Sequence, residues 1–361
     1  MGRRGQHVIV VGAGILGAAI AYHLARRGAR VTVVERGAPA CEATAKSFAW
    51  INASHRNAKP YYDLRMVGLQ EYRRLEQELA GRLQVKWGGG LNWDLEDDEI
   101  EPLVRRQAGW GYDIRVVEDE EIRRLEPRLA APPARAAFAA CEGALEPVAA
   151  TEALLAGAAA LGAEVLTGTE VVDFVTGRGR VTGLQTAAGT LEADHVVLAA
   201  GVASAGLAAR LDVHLPLRSS PGLLVHSRPA PPLLGRVVEA PKLHMKQDLD
   251  GRLVAAKSFG GEAPTNDPEA AGRRLIARLK EALVGAEDLE MEGVTVGLRP
   301  IPEDGLPAIG PAPGADGLYL AVMHSGITLA PAVGRFAAME LLDGTEVALL
   351  GPYRPGRFAA G

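Results

Sequence analysis

The hydrophobic positions of this chain fall into two repeating patterns, short β-branched runs and helical stripes. Val8–Val11 is a continuous apolar run of the kind a buried parallel strand needs. After Gly12–Gly17, a helical pattern passes through Ala21, Leu24 and Ala25 and stops at Gly28, a residue suited to a helix C-terminus. Arg30–Val34 then alternates as a second strand and ends at Glu35. Further on, Tyr61–Leu83 reads as an amphipathic helix, with a strand pair near Val85–Leu95. Glu152–Leu161 predicts a helix stopped by Gly162, followed by strands at Glu164–Leu166 and Glu170–Phe174. Arg180–Thr186 and Thr190–Glu192 form a hairpin pattern, and His195–Ala200 is a strand ending at Gly201. Strands near Gly222–His226, Lys242–Gln247 and Arg252–Ser258 follow, the last two joined by the turn Asp248–Gly251. Val294–Leu298 is a strand whose exit Pro300 and Pro302 stiffen. Leu318–Val322 is another, and a helix from about Ile327 to Leu342 closes the pattern with Ser325 as its N-cap.

Composition narrows the class. At 361 residues and 48% hydrophobic, the chain holds roughly two domains at about 150 residues each. Few aromatics and 43 glycines suit close helix–strand packing. A net charge of −5 with no long basic block leaves no nucleic-acid footprint. Cys41 and Cys141 have no CxxC partner, so structural zinc, a disulfide framework and a metal site are not expected, and the setting is expected to be reduced and cytoplasmic. Arg3 and Arg4 before the apolar run Val8–Ala25 resemble the start of a secretion signal. Three glycines, Tyr22 and His23 interrupt that run, and no small-residue cleavage site follows, so no membrane association is expected.

Strand, glycine turn, helix, strand and acid together make a dinucleotide-binding unit. Gly12 permits the tight turn, Gly14 lets a pyrophosphate approach the backbone, and Gly17 lets helix and strand pack closely. Ile15 and Leu16 open the helix, whose unpaired N–H groups and dipole face the anion. Glu35 lies roughly twenty residues after Gly12, where a carboxylate accepts from ribose hydroxyls and repels a 2′-phosphate, which argues against NADP. Instead of a further run of βα units, the small and polar segment Cys41–Asn52 follows, in which Thr44, Lys46 and Ser47 offer hydroxyls and a cation to a diphosphate.

Five stretches now fall into a recognisable order: VGAGILGAAIAYHLARRGARVTVVE at the start, SFAWINA near residue 50, VVLAAG near 200, GLRPIPEDGLPAIG at 297–310 and HSGITLAP at 324–331. Over nearly its whole length the chain resembles the D-amino-acid oxidase, glycine oxidase and sarcosine oxidase (DAO) family of FAD enzymes. The resemblance implies an α/β fold with a Rossmann-like FAD-binding domain built from discontinuous segments (1–52, 146–214 and 296–361). It also implies a smaller α+β substrate domain with an antiparallel sheet (53–145 and 215–295). It implies FAD in an extended pose, with Glu35 and Arg36 at the adenosine ribose. Thr44, Ala45, Lys46 and Ser47 would lie along the diphosphate and ribityl chain, and Val171 would offer backbone to adenine. No flavin-attachment motif matches, so the FAD is expected to be non-covalent.

In the family, the Arg of the GLRP motif, here Arg299, binds the substrate carboxylate, a role its planar donor fork suits; the alternative is a salt bridge to a surface acid. The turn at His324 and Ser325 leads into a helix whose N–H groups at Gly326, Ile327 and Thr328 would stabilise negative charge on the flavin ring. His244 stands where relatives often carry a Tyr over the flavin, and either acts on the substrate amine or packs. Lys257 is either a cation near the flavin that favours oxygen reactivity or a solvent-facing lysine on an edge strand. Trp50 and Asn52 lie where relatives approach the ring, Trp50 alternatively being core. The implied activity is oxidation of a small amino acid or N-alkyl amino acid to an imine, with molecular oxygen as the expected acceptor. The alternatives are a dehydrogenase using a quinone or carrier, a biosynthetic enzyme for a larger secondary amine, and a flavin-binding scaffold without turnover. Substrate identity and oligomeric state leave no readable pattern.

Overall fold

In the computed structural model, residues 5–257 and 267–359 are described, so Arg3, Arg4 and Ser258 of the readings above lie outside them. The opening unit forms as its pattern requires. His7–Val11 pairs in parallel with Arg30–Val34 on one side and with His195–Leu198 on the other. These strands belong to a six-stranded sheet ordered Ala308–Pro311, Leu318–Val322, His195–Leu198, His7–Val11, Arg30–Val34, Glu164–Leu166. Only the Ala308–Pro311 edge is antiparallel. The helix Ile15–Arg26 is buried along nearly its whole length, because it lies between the helices Pro147–Ala160 and Gly326–Asp343. The apolar run at the start is thus a five-residue strand plus a twelve-residue helix. No described helix is long and apolar enough to cross a membrane.

A second sheet of eight strands runs in the order Met291–Pro302, Leu217–Ser227, Leu253–Ala256, Leu243–Gln247, Val237–Ala240, Gly90–Asn92, Arg135–Ala139, Ile114–Glu118. All its pairs are antiparallel except Val237–Ala240 with Gly90–Asn92. Alternate residues of a strand point to opposite faces, and here the two faces differ in chemistry. Val225, Ala255, Met245, Val238 and Leu91 pack in one core with Leu275, Ile276 and Leu279 of the helix Pro268–Ala282. The opposite face carries the cross-strand row Ala256, His244, Glu239, Asn92.

Several elements depart from their sequence patterns for local reasons. The helix expected over Tyr61–Leu83 is Lys59–Glu78; a proline opens it, and left-handed backbone at Ala80 and Gly81 ends it. Of the strand pair near Val85–Leu95, only Gly90–Asn92 is a strand, although Lys86 forms an isolated bridge with Ala144. The helix expected from Glu152 begins at Pro147, where the Glu146 carboxylate accepts from the N–H groups of Val148 and Ala149. The strand carrying Arg299 does not stop at the prolines but runs from Met291 to Pro302. Among the described residues it is the sheet edge, paired only with Leu217–Ser227, so Pro300 and Pro302 have no second described strand to donate to. The expected domain limit between residues 295 and 296 therefore falls inside one strand. The helices Asp97–Gly109 and Pro268–Ala282 were not anticipated.

Candidate functional site

A single cavity of about 660 Å³ runs from the glycine turn of the opening unit to the polar face of the second sheet. Its size lies within the range of small-molecule and cofactor sites. At one end it is lined by Gly12, Gly14, Ile15, Leu16, Glu35 and Arg36, joined by Thr44, Lys46, Ser47, Val171 and Gly201. The Glu35 carboxylate braces this end by accepting from the N–H groups of Ala13 (2.8 Å) and Gly37 (2.9 Å). The Thr44 hydroxyl accepts from Ile15 N–H (3.1 Å), at the helix terminus where Gly14 supplies no capping side chain. Two of the expected residues do not line the cavity, Gly17 and Ala45. Gly17 packs on the backbone: a Cβ there would collide with the Gly12 carbonyl oxygen. Cys41 is a free, exposed thiol at the same end.

The other end is lined by Trp50, Asn52, Arg65, His244, Lys257, Arg299, His324, Ser325, Gly326, Ile327 and Thr328, among others. Arg299 is half-buried, and burial lowers its pKa. Its guanidinium leans on the neighbouring strand, donating to the Ser220 hydroxyl (3.0 Å) and the Pro221 carbonyl (2.8 Å). His324 is pulled down to about 4 by burial and by the charges of Arg299 and Arg65, so it is neutral at physiological pH. Ser325 occupies the expected N-cap position, its carbonyl accepting from Leu329 N–H (3.1 Å), but its side chain does not cap the helix. Its backbone is left-handed (φ 58°), and Oγ instead accepts from Arg65 Nη1 (2.8 Å) and lies 3.3 Å from His324 Nδ1. Trp50 is both core and cavity wall. Lys257 follows Leu253–Ala256, which lies inside the sheet, so the edge-strand reading of that lysine does not hold.

Arg65 is the residue that sequence reasoning missed. Only 3% exposed, it donates through Nε to the Asn52 carbonyl (2.9 Å), through Nη2 to the Asn52 side chain, and through Nη1 to Ser325. Tyr72 of the same helix donates to the Ile327 carbonyl (2.7 Å), and Thr328 Oγ1 bonds the Trp50 carbonyl (3.2 Å). The start of the helix Gly326–Asp343 is therefore held from two sides while it faces the cavity. The signal was present: Arg65 falls in an apolar stripe with Tyr62, Leu69 and Tyr72, where a charge is buried only with partners.

Behind the cavity wall lies a second unanticipated group. His244 Nε2 sits 3.3 Å from Glu239 Oε1 and 3.4 Å from Asp94 Oδ2. The three atoms lie within 4.8 Å of one another, close enough to share a cation, a set that a reading based on cysteines had no means to see. Burial, then Glu142 and Asp94, push the Glu239 carboxyl up to about 8, so it is largely protonated near neutrality. Burial lowers His244 against the opposing pull of Asp94. Asp94 and Glu239 do not themselves line the cavity.

Two helix N-termini and one continuous channel between them suit a long dinucleotide whose two ends need different surroundings. The family model for FAD-dependent oxidoreductases (DAO) matches residues 7–339. The chain belongs to the DAO family. This FAD-dependent oxidoreductase is 30% identical to a glycine oxidase of Bacillus licheniformis, over 94% of each chain. Its fold is similar to the crystal structure of glycine oxidase from Geobacillus kaustophilus, with a TM-score of 0.86, 28% identity, and 97% and 98% of the two chains covered. Half of the DAO-family chain is also 34% identical to part of a D-amino acid dehydrogenase of Cereibacter sphaeroides, 44% of that protein being covered.

Proposed function

We propose that this enzyme oxidises the C–N bond of a small amino acid or N-alkyl amino acid to an imine, with oxygen as acceptor and hydrogen peroxide as product. The observation that carries this reading is the cavity that joins Glu35 and the glycine turn to Arg299. In it the Gly12–Ile15 turn, Thr44, Lys46 and Ser47 hold the diphosphate and ribityl chain, Glu35 and Arg36 hold the ribose, and Val171 borders adenine. Bound FAD, held without a covalent link, supplies the hydride acceptor. Arg299 receives the substrate carboxylate and thereby fixes the carbon to be oxidised. The N–H groups of Gly326, Ile327 and Thr328, kept in place by Arg65 and Tyr72, offer preorganised stabilisation to developing negative charge. Neutral His324 and His244 border the substrate without adding charge. We assign residues 1–52, 146–214 and 303–361 to the cofactor domain and 53–145 and 215–302 to the substrate domain, since the strand of Arg299 stays in the second sheet to Pro302.

The test is anaerobic bleaching of the yellow holoenzyme by a panel of amines and amino acids, followed by peroxide measurement on admitting air. Bleaching by amino acids with stoichiometric peroxide is the expected result. Bleaching without peroxide would instead support a quinone- or carrier-linked dehydrogenase, the second reading, which the partial likeness to a D-amino acid dehydrogenase favours. Absence of bleaching by any amino acid would overturn both.

A further inference from the structure

The polar face of the second sheet gathers acids that no strong base answers. Glu239 is the register partner of His244 on one side and of Asn92 on the other. His244 is 3% and Glu239 4% exposed, while the side chain of Asp94, two residues beyond Asn92, is 36% exposed. Among the described residues, no lysine or arginine stands within ion-pairing distance of Glu239 or Asp94; their partners are His244 and His55. A third acid, the fully buried Glu142, is near enough to bear on the Glu239 charge. Its Oε2 has no hydrogen-bond partner among the described residues and lies against Gly90, on the strand face that Gly90 shares with Asn92. Buried carboxylates are kept charged by a paired cation or by a coordinated metal ion.

The spacing of the donor atoms selects between these. His244 Nε2 is 3.3 Å from Glu239 Oε1 and 3.4 Å from Asp94 Oδ2. Both distances exceed the usual N–H···O separation of about 2.9–3.0 Å. They match the edges of a tetrahedron around an ion with bonds of about 2.0–2.1 Å, which are about 3.3–3.4 Å long. An octahedral ion with bonds of the same length would draw its ligands to about 2.9 Å and prefers oxygen throughout. All three atoms lie within 4.8 Å of one another, and the partly exposed Asp94 can close the remaining edge and give an ion its way in. The surroundings orient the ligands as an outer shell does. Asn92 Nδ2 donates to Glu239 Oε2, which leaves Oε1 toward His244, and Asn92 Oδ1 accepts from Asp94 N–H (2.9 Å). His55 Nδ1 stands 3.7 Å from Glu239 Oε2.

We propose that Asp94 Oδ2, Glu239 Oε1 and His244 Nε2 bind one divalent transition-metal ion of the zinc type, with water as its fourth ligand, and that this ion braces the wall behind the substrate. A mixed imidazole and carboxylate set suits such an ion better than magnesium or calcium. Of the three ligands only His244 lines the cavity, so the ion sits behind the wall and fixes His244, a structural task and not a catalytic one. It also ties Asp94, which follows the strand Gly90–Asn92, to the hairpin of Val237–Ala240 and Leu243–Gln247, across the one parallel junction among the described pairs of this sheet. The site stands whichever amine is oxidised.

Titration of chelator-treated holoenzyme with Zn²⁺, followed by calorimetry and by metal analysis after gel filtration, tests the site without turnover. The expected result is one ion per chain, binding at least about tenfold more tightly than Mg²⁺ and raising Tm. Co²⁺ in its place should give the visible bands of tetrahedral coordination at wavelengths beyond the flavin bands. Asp94→Asn alters a partly exposed side chain and keeps the fold, and Glu239→Gln keeps the oxygen that accepts from Asn92. Each should weaken Zn²⁺ at least about tenfold, since outer-shell changes alone cost that much. Cys41, a free and exposed thiol, is the competing ligand, and Cys41→Ser should bind Zn²⁺ as the unaltered protein does. Absence of stoichiometric Zn²⁺ binding, unaltered affinity in both Asp94→Asn and Glu239→Gln, or loss of binding in Cys41→Ser overturns the metal site. None of these outcomes bears on the amino-acid reading, which anaerobic bleaching decides separately.

Discussion

Arg299 and Glu239 occupy the same sheet, yet their surroundings ask opposite things of their charges. Arg299 remains charged because a guanidinium loses its proton only far above neutrality, burial notwithstanding, and neighbouring carbonyls and a hydroxyl take part of its donor fork. Removing it costs a charge-assisted contact of about 1.5–3 kcal/mol. Arg299→Ala should therefore raise KM for carboxylate substrates about 10–100-fold while the protein stays yellow. An unchanged KM across active amino acids would remove the carboxylate role. Glu239, by contrast, is buried with other acids nearby and with its carboxyl raised to about 8. The unfolded chain gives up this proton near 4.5, so between about 4.5 and 8 the folded state binds more protons, and stability falls as pH rises. Glu239→Gln removes that dependence and keeps the side-chain oxygen that accepts from Asn92. Its Tm should decline less than that of the unaltered protein from about pH 5 to pH 8; parallel declines would refute the assignment. Arg299 was legible in the sequence because its motif is contiguous. Glu239 and Asp94 were not, because only strand pairing brings them to His244.

At the scale of elements, what the sequence revealed followed from how locally each signal is encoded. The opening strand–turn–helix–strand was readable because glycines, apolar runs and a terminal acid all lie within one short stretch. The Pro268–Ala282 helix was missed because its neighbours read as strands and its Asp267 N-cap went unweighed. The continuation of the Arg299 strand through two prolines depends on its being an edge, a fact of sheet order that no local pattern contains. Packing between elements is equally hidden. The helices Lys59–Glu78 and Gly326–Asp343 approach so closely at Gly68 that a Cβ there would collide with the Thr328 carbonyl oxygen, which is backbone and cannot step aside. Gly68→Ala should destabilise by about 1–3 kcal/mol, as overpacking does. It should also disturb the flavin spectrum, because the displaced residue belongs to the helix start that faces the cavity. A normal spectrum together with unaltered Tm would show that the helices separate without cost.

For the whole molecule, the cavity makes the cofactor a structural partner as well as a chemical one. It touches the six-stranded sheet at Val11 and Val34 and the eight-stranded sheet at Leu224, His244 and Arg299. FAD at about 100 times its Kd should stabilise the apoprotein by about 2.7 kcal/mol. For a chain of this length that corresponds to a Tm rise of roughly 3–4 °C, read by calorimetry during reconstitution. A flat Tm across an FAD titration would mean that the ligand binds folded and unfolded chains alike.

The row Ala256, His244, Glu239, Asn92 has a consequence for how such an enzyme diversifies. One end of the channel includes the glycine turn, where a Cβ on Gly12 would collide with the Ala199 carbonyl oxygen and few replacements fit. The row is made of side chains on strands that the cofactor turn never pairs with. Mutational drift is thus channelled to one end. A library randomised at 244 and 256, the two positions of the row that line the cavity, should yield mostly yellow proteins that differ in appetite, a fixed handle with a changing bite.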